Sequence, residues 1–139
     1  DIYYKYIVFS IINFIIALVL VCFYFVLSND YLLFISGFIF LLGFLTTIIT
    51  AHLYKIIPFL VWFYRFSNLV GKQKVPMLAD MVPVKSSDFG FAFYLLGFIL
   101  SLIAFIFSSD ILFKSAVSFL FVGTSFIVKD VFYIINFKG

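Results

Sequence analysis

Charge is what this sequence has least of. Only 11% of its 139 residues are charged, while 66% are hydrophobic and 24% aromatic. An ordinary soluble domain carries about 25% charged residues. A globule with this composition would face water with Phe and Ile, so a soluble domain is excluded. Disordered chains are apolar-poor and charge-rich, so disorder is excluded by the same numbers. Cys22 is the one cysteine, which leaves no internal disulfide and no cysteine-based zinc site. No glycine-rich nucleotide loop, hydrolase nucleophile motif or metalloprotease helix is present. The six acidic residues are scattered rather than paired, and Asp30 and Asp110 occupy turns. What remains is a polytopic membrane protein. The chain begins at Asp1 with no signal region ahead of its first apolar run, and it is expected to be part of a longer protein.

A spanning helix needs about 20 apolar residues to cross roughly 30 Å of hydrocarbon. Four runs meet that requirement: 6–27, 31–54, 89–107 and 111–128, the last interrupted only by Lys114. Ser28-Asn29-Asp30 closes the first run and Ser108-Ser109-Asp110 the third, at an offset of 80 residues that Gly43 and Gly123 share. Any two tight connections would select similar polar turn residues. The expected fold is an all-α integral membrane protein of four transmembrane helices. They form two hairpins joined by a central connection over 55–88.

Eight of the nine basic residues fall on one side of this threading: Lys5, Lys55, Arg65, Lys72, Lys74, Lys85, Lys129 and Lys138. Lys114 alone falls on the other, close enough to the boundary to snorkel. The positive-inside rule therefore places both termini and the central connection in the cytoplasm. This asymmetry accounts for the net charge of +3 and leaves nothing that calls for nucleic acid. Tyr3, Tyr4, Tyr6, Tyr54, Tyr64, Tyr94 and Tyr133 lie near the inner ends of the runs and read as an aromatic belt that anchors helices at the headgroups.

Helices in lipid associate through close packing and buried polar contacts, so small residues mark contact faces. Gly43, Thr47 and Ala51 form one stripe. Gly90, Gly97, Ser101, Ala104 and Ser108 form a second, and Ser115, Ser118 and Ser125 a third. Asn13 is expected to hydrogen-bond across to a neighbouring helix. The implied partners are the lipid bilayer and other transmembrane helices of the same protein or complex.

The central connection holds His52, Trp62 and all three prolines. Apolar character runs on from Tyr31 to Tyr64, longer than a bilayer is thick. The chain is therefore expected to kink, emerge or lie down near Pro58, where a backbone donor is lost. Ile56 to Phe66 reads as an interfacial segment, and Met77 to Pro83 as a short amphipathic helix with Met77, Leu78 and Met81 on one face. His52, the one histidine, ends a small-residue stripe. A neutral imidazole there can ligate haem iron or another metal, hydrogen-bond within the bundle, or sit at the headgroups.

The run His52-Leu53-Tyr54-Lys55-Ile56-Ile57-Pro58-Phe59-Leu60-Val61-Trp62-Phe63 is followed by Arg65-Phe66-Ser67 and by Val70-Gly71-Lys72-Gln73-Lys74-Val75-Pro76-Met77-Leu78. Together they resemble a segment of uncharacterised bacterial polytopic membrane proteins related to the haem–copper oxidase subunit I superfamily, in its cbb3-like branch. The resemblance covers Ala51 to Pro83. It implies the C-terminal portion of a larger protein in the bacterial inner membrane, with a haem-binding or scaffold role and His52 as the cofactor-binding residue. That family's catalytic core uses several histidines for its haems and copper, whereas this chain has one. Oxygen reduction by these residues alone is not implied. The alternative is a non-enzymatic small membrane subunit or transporter fragment.

Overall fold

A computed structural model describes all 139 residues and contains helices and turns but no strand. Four helices are long and apolar enough to cross a membrane: Ile2–Leu27, Asp30–Leu69, Val84–Phe107 and Asp110–Ile135. The chain is a membrane protein of the helical class.

Helix α1 (Ile2–Leu27) begins where the Asp1 carboxylate accepts the Tyr3 N–H at 3.0 Å. It ends at Ser28, a left-handed residue with φ 49° whose N–H bonds Tyr24 O at 2.7 Å. The side chain of Asn29 then caps α2 (Asp30–Phe38) by accepting from Tyr31 N. The same backbone path recurs after α4 (Val84–Phe107). Ser108 also has φ 49°, and the Ser109 hydroxyl caps α5 (Asp110–Ile135) at Leu112 N. The echo between the two tripeptides is thus a shared turn: a serine tolerating the left-handed region, an oxygen-bearing cap, and an aspartate at the positive helix end.

The second helical rod is not a plain α-helix. After α2 the chain widens into a π-helical segment, Ile39–Leu45, and then continues as α3 (Thr46–Phe66) and a 3-10 turn, Ser67–Leu69. At 40 residues the rod is about 60 Å long if uniformly helical, twice the hydrocarbon thickness. It does not break at Pro58. That residue lies inside α3 and is buried, so the expected separate segment over 56–66 is instead a continuation of the helix. Proline removes its own N–H and crowds the carbonyl four residues back, yet the helix continues on both sides of it. The connection without α-helix shrinks to 67–83.

This connection is tied back onto the bundle. The Trp62 indole donates to Pro76 O at 2.8 Å, and Arg65 donates to Phe137 O in the C-terminal tail. The stretch from Met77 forms only a 3-10 turn, Leu78–Met81, with the Asp80 carboxylate accepting from Met77 N. Met81 is fully buried, whereas Met77 and Leu78 are exposed, so one anchor replaces the expected amphipathic face. Four residues are too few to sustain a helical stripe.

Helices α4 and α5 pack backbone to backbone. A methyl at Gly97 would come within 2.7 Å of Leu120 N, and one at Gly123 within 2.7 Å of Tyr94 N. Gly43 is filled similarly by Asn13, whose Cγ would be 2.7 Å from an added Cβ. Asn13 does not bond across the helices as expected. Its amide donates to Phe9 O in its own helix at 2.8 Å, while its body packs on Gly43. Between α1 and α2, Ser36 does bridge, donating to Ala17 O at 2.9 Å.

The stripe of α3 is buried at Thr47 and Ala51, and that of α4 at Gly90, Gly97, Ser101 and Ala104. On α5 the expectation fails. Ser115, Ser118 and Ser125 face outward, each bonding the carbonyl four residues back, and the buried stripe is Ala116, Gly123, Ile127, Asp130 and Ile134. A hydroxyl satisfied by its own helix can face hydrocarbon at little cost.

Candidate functional site

The buried stripe of α5 carries a carboxylate. Ala116, Gly123 and Asp130 recur every seven residues, which is nearly two helical turns, so all three face the same neighbours. Asp130 is completely buried, in a helix that runs on to Ile135. Its Oδ2 accepts the Tyr54 hydroxyl from α3 at 2.7 Å, and its Oδ1 lies 2.5 Å from the Ser86 hydroxyl in the first turn of α4. Three helices therefore converge on one side chain.

A fourth contributes Tyr6 of α1. Its ring stacks on Tyr54 with centroids 6.0 Å apart and meets Phe91 edge-on at 4.9 Å. Tyr6 is fully buried, and its hydroxyl is the one buried side-chain polar atom in the chain with no hydrogen-bond partner. Farther along α4, Tyr94 donates to Leu42 O at 2.7 Å. That acceptor lies in the π segment, where the wider turn releases carbonyls that an α-helix would use. The Thr46 hydroxyl also donates to Leu41 O at 2.8 Å, the carbonyl that accepts the Thr46 backbone N–H.

These tyrosines do not form the expected headgroup belt. Tyr6, Tyr54 and Tyr94 are internal, the last two hydrogen-bonded, while Tyr4, Tyr64 and Tyr133 remain exposed. Beside the cluster opens a cleft of about 470 Å³, lined by Ile2, Tyr54, Pro58, Val84, Ser87 and Asp88 among others. At its rim Lys5 and Asp88, both about half exposed, form the only ion pair in the chain at 2.7 Å. Tyr54 thus belongs both to the cleft and to the Asp130 cluster.

His52 stands elsewhere. Two residues from Tyr54, it points about 200° around α3, and it is exposed. Its Nδ1 lies 2.7 Å from Ile48 O, and Tyr3 meets the ring edge-on at 5.9 Å. A carbonyl can only accept, so this contact places a proton on Nδ1, and in a neutral ring the lone pair would be on Nε2. No group of three or more metal-ligating side chains is assembled in the chain.

The apolar pattern of the sequence does not mark the Asp130 cluster: the fourth apolar run ends at 128, and Asp130 lies just beyond it. The available signal was the heptad spacing from Gly123. No protein family, curated protein or solved structure matches this chain, so the likeness of its His52 segment rests on that segment's own residues.

Proposed function

We propose that the chain is the C-terminal helical portion of a haem–copper-oxidase-like protein of the bacterial inner membrane, with both termini and the 67–83 connection in the cytoplasm. The observation that supports this reading is the state of His52. Its Nδ1–H is held by Ile48 O, so Nε2 is free and directed away from its own backbone. A haem iron would be held by a neutral imidazole through that nitrogen. Because His52 is exposed on α3, a haem bound there would lie against the outer face of the bundle beside Tyr3, and the remaining walls would come from other helices of the same protein or complex. Haem would supply electron transfer. The chain's part is to present one ligand on a rigid helix and to orient it.

The second reading is a non-enzymatic membrane subunit or transporter fragment. It is favoured by the backbone contact of α4 with α5, which builds a stiff pair without any cofactor.

A reduced-minus-oxidised absorbance spectrum of the purified longer protein tests the first reading. His52→Ala and His52→Gln should each alter or abolish the haem signal while the protein still inserts. Glutamine replaces a hydrogen bond but is a poor haem ligand. An unchanged spectrum in both variants would reject ligation and leave the scaffold reading.

A further inference from the structure

We propose that Asp130 is a proton-binding site: a carboxyl held as the neutral acid inside the bundle, which exchanges its proton with water in the cleft beside Tyr54. This inference does not depend on haem or on His52.

Asp130 has no exposed surface and no cationic partner. Every charged group at this end of the bundle is engaged or exposed. Lys5 is bound to Asp88, Lys55 sits 4.5 Å from the centroid of the Tyr3 ring, Lys129 sits 5.1 Å from that of Phe126, and Lys85 is exposed. The groups that face the carboxyl are neutral hydroxyls, namely Tyr54 from α3 and Ser86 from α4, with Tyr6 of α1 stacked on Tyr54. An ionised carboxylate buried without a counter-charge costs several kcal/mol, and such a group takes up a proton instead. Both contacts accommodate the acid. Tyr54 donates to Oδ2, and at 2.5 Å Ser86 can accept a proton carried on Oδ1 as readily as donate to it.

The unpartnered Tyr6 hydroxyl is the second observation. A buried hydroxyl left without a partner is costly. Its ring stacks on that of Tyr54, the residue that holds Oδ2, so an unused donor lies in the same buried cluster. Exchange then needs one relay. The Tyr54 hydroxyl gives its hydrogen to Oδ2, and its oxygen takes a hydrogen from hydronium in the cleft. One O–H bond breaks at Tyr54 and one forms there, so tyrosine ends neutral and the net change is one proton moved from water to Asp130.

The test is infrared spectroscopy of the protein reconstituted in vesicles at pH 7. All six acidic side chains are aspartates, and Asp130 is the only one that is buried. Wild type should therefore show a carboxylic-acid C=O band that the isosteric Asp130→Asn variant lacks. In D2O the band should shift promptly in wild type and at least tenfold more slowly in Tyr54→Phe. Three results would each overturn the assignment: no acid band in wild type at pH 7, a band that persists in Asp130→Asn, or a band removed by sodium chloride at constant pH. The last would mark a metal-cation site. Equal exchange rates in wild type and Tyr54→Phe would overturn the relay through the cleft.

Discussion

The Tyr54 hydroxyl reaches Oδ2 of Asp130 at 2.7 Å, joining helices whose contacting residues lie 76 positions apart. Few other hydrogen bonds cross between the first two helical rods and the last two. They are Tyr94 to Leu42 O, Tyr31 to Phe105 O and Lys5 to Asp88. Within lipid no hydrophobic force draws helices together, so such polar contacts and the glycine packing carry the specificity of the assembly.

Tyr54→Phe should therefore lower stability by about 1–3 kcal/mol, because it leaves a buried carboxyl oxygen without its donor. Asp130→Asn should cost less, since an amide can keep a partner at both positions. Unfolding of the detergent-solubilised variants measures both. Combining the two changes should cost less than the sum of the singles, as residues in one hydrogen-bonded pair couple. Strict additivity would mean that the contact contributes nothing.

Tyr94→Phe probes the π segment. The hydroxyl satisfies Leu42 O, a carbonyl released by the wide turn. Its loss should cost about 1 kcal/mol, with the effect centred on Ile39–Leu45 rather than spread over the bundle. Amide hydrogen exchange should quicken in that segment and remain as in wild type over α5. Uniform acceleration along every helix would show that Tyr94 acts as general packing instead.

How much of this was legible beforehand differs from residue to residue. The four spans were visible because each is a long run nearly free of charge, and that property survives averaging over a window. Gly43, Gly90 and Gly97 were visible because a small side chain has few reasons to recur on one helical face. Asp130 was hidden by its neighbour. Lys129 and Asp130 both lie just beyond the fourth apolar run, yet adjacent side chains on a helix diverge by about 100°, so one faces outward while the other is buried. The serines of α5 misled for the opposite reason, since a hydroxyl bonded to its own helix carries no information about contact. The π segment left no local trace. It contains no proline, and its carbonyl partner Tyr94 lies 52 positions from Leu42.

Glycine substitutions separate contact from mere smallness. Gly97→Leu and Gly123→Leu should sharply reduce the amount of folded protein, because even a methyl would meet backbone atoms of the facing helix at 2.7 Å. Overpacking of this kind costs about 1–3 kcal/mol or more. Gly37→Ala should be neutral or slightly stabilising, since nothing lies within 4 Å of an added Cβ there and alanine favours helix. Monodisperse yield after detergent extraction is a sufficient measure. A loss at Gly37 as large as at the other two positions would show that contact with the facing helix does not govern tolerance.

Orientation decides which compartment supplies protons to the cleft. Its wall includes Asp1, Lys5, Lys55 and Asp88, residues at the end of the bundle where the basic side chains gather. The proposed orientation, which rests on the positive-inside rule, puts that end in the cytoplasm. Cys22 is exposed on α1 and would react in the background, so it is first replaced by serine. Single cysteines at Asn29 and Ser109, in the two tight turns, should then react with a membrane-impermeant thiol reagent applied to intact cells. One at Gln73, in the connection, should react only after the membrane is opened. Gln73 is exposed, so protection in intact cells would reflect the membrane rather than burial. Labelling of Gln73 from outside, with Asn29 and Ser109 protected, would invert the protein and make the cleft draw its protons from the periplasmic side.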